Sequence, residues 1–130
     1  MRLFWLLFAI ISASVQAGDS CDDPITTVEV NQCAQAAYQI AEETLNTAYQ
    51  AALQRIRSEL ADPQQQEDIR QALTDAQQLW LQYRDQDCGA LYDFGRYGTK
   101  AEIRDAMYWS CMIKRTEQRA SELIFFGLRE

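Results

Sequence analysis

TTVEVNQCAQAAYQIAEETLNTAYQAALQRIRSELADP, residues 26–63, decides the fold. Within it Val30, Cys33, Ala37, Ala41, Leu45, Ala48, Ala52, Ile56 and Leu60 recur at steps of three and four, which lines them along one face of an α-helix. Tyr38, Tyr49 and Leu53 widen that stripe. At its head, Thr26 and Glu29 stand at capping-box spacing, where hydroxyl and carboxylate each satisfy a free backbone amide of the first turn. At its foot, Pro63 disfavours helix in the residue before it, so the helix stops near Asp62.

Downstream, Asp62 doubles as a cap for a second helix with Pro63 in its first position, where a missing amide costs nothing. Ile69, Leu73, Ala76, Trp80 and Tyr83 form its apolar stripe, and Gly89, just after Cys88, supplies a C-terminal stop. From Gly89 to Gly98 three glycines break the periodicity. Thr99 and Glu102 repeat the capping-box spacing and open a third helix. Its expected inner face is Ile103, Met107, Cys111, Ala120, Leu123 and Ile124, interrupted by Lys114 and Glu117. Neither strand alternation nor an internal repeat is visible. The expected fold class is all-α: a three-helix up-down-up bundle with the first two helices as a long antiparallel hairpin, stapled by two disulfides.

Upstream, Met1-Arg2, the apolar run from Leu3 to Ile11 and the small and polar residues up to Ala17 have the form of an export signal. The expected division is a signal peptide over 1–17 and one helical domain over 18–130. The apolar run is shorter than the roughly 20 residues a bilayer span needs. Gly18-Asp19-Ser20 ahead of Cys21 does not resemble a lipobox. No stable membrane anchor is therefore expected, and the expected location is periplasmic or secreted.

Four cysteines behind an export signal fit an oxidising compartment and two disulfides. Cys21, before the first helix, and Cys88, ending the second, share one end of the bundle. Cys33 and Cys111 lie a few turns inside from that end. Cys21–Cys88 with Cys33–Cys111 fits best, and Cys33–Cys88 with Cys21–Cys111 competes.

Net charge is −7, one unit more negative once Arg2 leaves with the leader. That balance disfavours nucleic acid and suits a basic protein partner, or serves solubility alone. Histidine is absent, which removes the usual general base, metal ligand and partner of a nucleophile. Asp22 with Asp23, and Asp85 with Asp87, show neither a separation across a cleft nor EF-hand spacing. The expectation is no catalytic residue, no metal and no cofactor.

Several short signatures occur in order: Cys21 and Cys33 around Thr26; Leu45-Asn46 followed by Tyr49; Gln77-x-x-Trp80-x-x-Tyr83-Arg84-Asp85-x-x-Cys88; and Cys111 followed by Thr116, Arg119 and Leu123. Together they resemble the LprI-like lysozyme inhibitor family across essentially the whole mature chain. The resemblance implies a small exported helical domain, and lysozyme or a related muramidase as a protein partner bound non-covalently. Founding-type members are anchored lipoproteins, a pattern from which the missing lipobox departs.

Read physically, Trp80 and Tyr83 belong to the core. Arg84 and Asp85 make an ion pair or a cap at the end of the second helix. Asn46 and Arg119 form a polar contact between helices, and Thr116 bonds back to its own helix. The candidate partner-binding residues are Tyr92, Asp93, Phe94, Arg96, Tyr97 and Lys100, a mixture of aromatic anchors and charge found at interface hot spots. Arg96 or Lys100 would meet the carboxylates of a hydrolase cleft. The same glycines would equally let this loop fold back and bury its own aromatics. A general periplasmic module binding another exported protein is the competing function.

Overall fold

The computed structural model describes residues 21–92 and 101–127, with side chains of the last helix described from 104 onward. Three helices follow in chain order: α1, Thr27–Glu59; α2, Pro63–Leu91; and α3, Ala101–Ile124. The signal peptide expected over 1–17 lies outside the described residues.

The helix boundaries come from local chemistry. Thr26 is extended (φ −102°, ψ 152°), and its hydroxyl accepts from the Glu29 amide at 3.2 Å. In return the Glu29 carboxylate accepts from the amides of Thr26 at 2.9 Å and Ile25 at 3.0 Å. These backbone donors hold the Glu29 carboxyl below the usual carboxylate range. At the other end Leu60 returns to extended geometry. Asp62 then caps α2 by accepting from the Gln64 amide at 2.9 Å, with Pro63 in the first turn. Gln66 reaches back to the Leu60 carbonyl at 2.6 Å and ties the turn to the start of α2.

The core row of α1 is Ala41, Leu45, Ala48, Ala52 and Ile56, all on the expected stripe. On α2 the buried row is Leu73, Gln77, Arg84 and Cys88, and on α3 it is Met112, Thr116, Ala120 and Leu123. Small side chains on α1 and at Ala120 let α1 and α3 run side by side, the closest helix pair in the bundle. They run parallel, with the Tyr38 ring 5.4 Å from that of Trp109 near the start and Arg55 against the end of α3. There Arg55 donates to the carbonyls of Phe126 at 2.8 Å and Leu123 at 2.5 Å. A cation thus meets carbonyls at the C-terminal end of α3, the negative end of the helix dipole. Gly127, at φ 77°, takes the left-handed conformation that turns the chain away.

Four expectations are corrected. Gly89 does not stop α2, which continues to Leu91 with Tyr92 as its cap; the Tyr92 amide still bonds the Cys88 carbonyl at 3.2 Å. Tyr83 is not core, being 53% exposed, and Met107 and Ile124 also face out. The inward face of α2 is turned toward Gln77 and Arg84, two polar members of the buried row that an apolar count skips. Thr116 donates toward Glu42 across the bundle rather than to its own helix. The Thr99–Glu102 cap lies outside the described residues, as does the Ile103 side chain.

The fourth correction concerns the disulfides, which are Cys21–Cys33 and Cys88–Cys111. The segment ahead of α1 doubles back along that helix, bringing the Cα atoms of Cys21 and Cys33 to 5.5 Å. Cys21 therefore finds its partner locally and never reaches α2. The neighbouring antiparallel helices α2 and α3 bring Cys88 and Cys111 to 5.8 Å. Both staples still lie toward the end where α1 begins and α2 finishes.

Candidate functional site: the stapled end and the arginine cluster behind it

Behind the stapled end, Arg84 is 3% exposed and joins all three helices. Its guanidinium donates to Asp85 at 2.9 Å, to the fully buried Thr116 hydroxyl at 3.0 Å, and to Glu42 of α1. Aromatic faces close the remaining sides, with the Trp80 centroid at 5.2 Å and that of Tyr38 at 5.6 Å. Burial alone would lower the Arg84 pKa, but Asp85, Glu42 and Tyr38 outweigh it and the net shift is upward. Arg84 stays a cation. Burial likewise pushes the Tyr38 hydroxyl up to about 12, with Glu42 adding to the effect and Arg84 opposing it.

A second layer of arginines covers the motif. Arg119 donates to Gln77 at 3.0 Å and to Glu122 at 3.0 Å while lying 5.8 Å from the Trp80 centroid. Half-buried Trp80 thus neighbours two guanidinium groups. Arg115 pairs with Asp87 and lies 5.4 Å from the Tyr83 centroid. Asp85 and Asp87 are thus each partners in an ion pair, with Arg84 and Arg115. The described residues hold no group of metal-ligating side chains.

The surface at the stapled end is different in kind. A groove of about 570 Å³ runs between the start of α1 and the start of α3, lined by Ile25, Thr26, Val30, Tyr92, Met107 and Ser110. Ile25 is 87% exposed, and Val28, Leu91 and Met107 at the same end are exposed too. Tyr92 is the one expected partner-binding residue within the described set, half-buried on the groove wall. Asp93, Phe94, Arg96, Tyr97 and Lys100 lie outside it.

The motif residues prove to be the framework of the bundle. Trp80, Arg84, Asp85 and Arg119 are brought together; Tyr83 stands apart on the surface under Arg115. Arg119 contacts Gln77, and Asn46 lines a separate groove with Glu42, Tyr49 and Thr74 instead of meeting Arg119. A family model described as lysozyme inhibitor LprI matches residues 19–123. The chain belongs to the LprI family. No curated relative and no solved structure matches it. The LprI family is named for inhibition of an enzyme and not for catalysis. Two formed disulfides accord with an oxidising compartment. No helix among the described residues is long and apolar enough to cross a membrane.

Sequence reading missed Glu42, Tyr38 and Arg115 as partners of the motif, and Arg55 as a cap for α3. A signal for the first existed. Gln77 and Arg84 fall in register with Leu73 and Cys88, and a polar side chain on a buried row needs a polar partner from a neighbouring helix.

Proposed function

We propose that this chain is exported through cleavage of its first 17 residues and inhibits a lysozyme-type peptidoglycan hydrolase by non-covalent binding. The observation that carries the reading is the family match over residues 19–123. The acidic balance supports it, since muramidases of this type are generally basic and opposite charge speeds encounter. Inhibition then rests on occlusion of the hydrolase cleft, with no cofactor and no metal. The test is cell-wall turbidity clearing by a basic animal lysozyme and by a bacterial muramidase, with the oxidised mature chain in increasing amounts. Dose-dependent slowing of clearing is expected for at least one enzyme. Unchanged clearing of both at excess protein rejects the reading.

A further inference from the structure

Resting on that reading, we propose that the muramidase docks on the pinned segment ahead of α1 and the groove beside it, and that the docked surface is basic around an apolar centre. Ile25 supplies the reason. Its backbone amide is held by the Glu29 carboxylate at 3.0 Å, and the Cys21–Cys33 disulfide fastens the same segment to α1. Yet its side chain is 87% exposed. A chain that fixes a large apolar side chain in water on a tied backbone has an anchor whose ordering cost is already met before binding. Val30 and Met107 continue the apolar surface into the groove, an open concavity of about 570 Å³.

Charge selects the partner. Asp22 and Asp23 are exposed beside Ile25 and form no ion pair among the described residues. Several other carboxylates are paired, Asp87 with Arg115, Asp85 and Glu42 with Arg84, and Asp105 with Arg104. Two exposed carboxylates two and three positions from an apolar anchor, unpaired among the described residues, complement a cationic surface, and on an acidic chain they add to long-range attraction. Exposed Leu79 stands on α2 away from the groove and serves as a control.

The experiment measures binding of the oxidised mature chain to immobilised basic animal lysozyme and to a bacterial muramidase, at low and at physiological salt. The variants are Ile25→Glu, Asp22→Lys with Asp23→Lys, and Leu79→Glu as an exposed control. Thermal unfolding of each checks that the fold is kept. Ile25→Glu is expected to weaken binding about tenfold or more with an unchanged midpoint of unfolding. The double lysine variant is expected to slow association and flatten its salt dependence. Leu79→Glu is expected to bind as wild type. Wild-type affinity in both Ile25→Glu and the lysine variant overturns this surface while leaving the inhibitor reading intact. So does an equal loss in Leu79→Glu, or a wild-type dimer that Ile25→Glu disperses. If the wild type binds neither enzyme, the inhibitor reading itself fails and the surface falls with it.

Discussion

A guanidinium with 3% exposure must find a partner for each of its N–H groups, and Arg84 finds them at Glu42, Asp85 and Thr116. Removing it strands two carboxylates and a buried hydroxyl. Arg84→Met is expected to cost about 2–4 kcal/mol, the lower end favoured because Glu42 and Asp85 keep some water contact. Urea denaturation with an unchanged m-value measures it. Arg84→Lys should recover little, since a point charge cannot replace a planar fork stacked between two rings. A neutral Arg84→Met would show that the cluster adds nothing net to stability.

Tyr38 gives a second residue-scale prediction. Its folded pKa of about 12 stands above the ordinary value of 10.0, so the folded chain binds more protons in that window. Stability contributed by the neutral phenol is full below the unfolded value and is lost as pH rises through the folded one. Tyr38→Phe should flatten that part of the alkaline stability profile. In a tyrosinate absorbance titration of the six tyrosines, the variant should lose one late step. The family resemblance singled out Arg84 as a motif residue. Its partners Glu42 and Thr116 were not legible, because they stand 42 and 32 positions away in the chain.

Among the elements, boundaries set by groups within four residues of one another were legible. The Thr26–Glu29 cap and the Asp62-Pro63 junction occur where spacing put them. Gly89 shows the limit of that logic. Glycine suits a helix stop only if the chain turns left-handed there, and α2 passes through Gly89 unbroken. A methyl group added at Gly89 would meet nothing within 4 Å. Gly89→Ala is therefore expected to stabilise the fold by about 0.5–1 kcal/mol, read as a higher midpoint of thermal unfolding. A destabilised variant would place a left-handed stop at this position after all. The rotation of α2 was misjudged for a related reason: at ~100° per residue, counting Tyr83 as apolar and Arg84 as polar swings the inferred face away from the real one.

At the scale of the molecule, the pairing of cysteines settles how the stapled end is built. Cys21–Cys33 spans 12 residues and Cys88–Cys111 spans 23, so each constrains a neighbourhood. Loop closure on that scale contributes about 3 kcal/mol per disulfide. Non-reducing peptide mapping should recover those two pairs and neither of the cross-bundle alternatives. Cys21 is exposed and Cys88 fully buried, so limited reduction by a dithiol should open Cys21–Cys33 first, read by alkylation and mass. Equal rates for the two would contradict the burial. If docking uses Ile25, that first step should weaken binding while far-UV circular dichroism stays helical.

The sequence by itself determined three helices, their order and two of their caps, because each depends on residues a few positions apart, and two staples, because four cysteines follow an export signal. Tertiary structure alone decided which cysteines join, which face of α2 and α3 turns inward, and which side chains receive the buried cation. Those choices depend on how the segment before α1 folds back and how closely alanine-lined helices approach. No local pattern carries that information, since the same apolar rows admit several rotations until the polar members of neighbouring rows must pair.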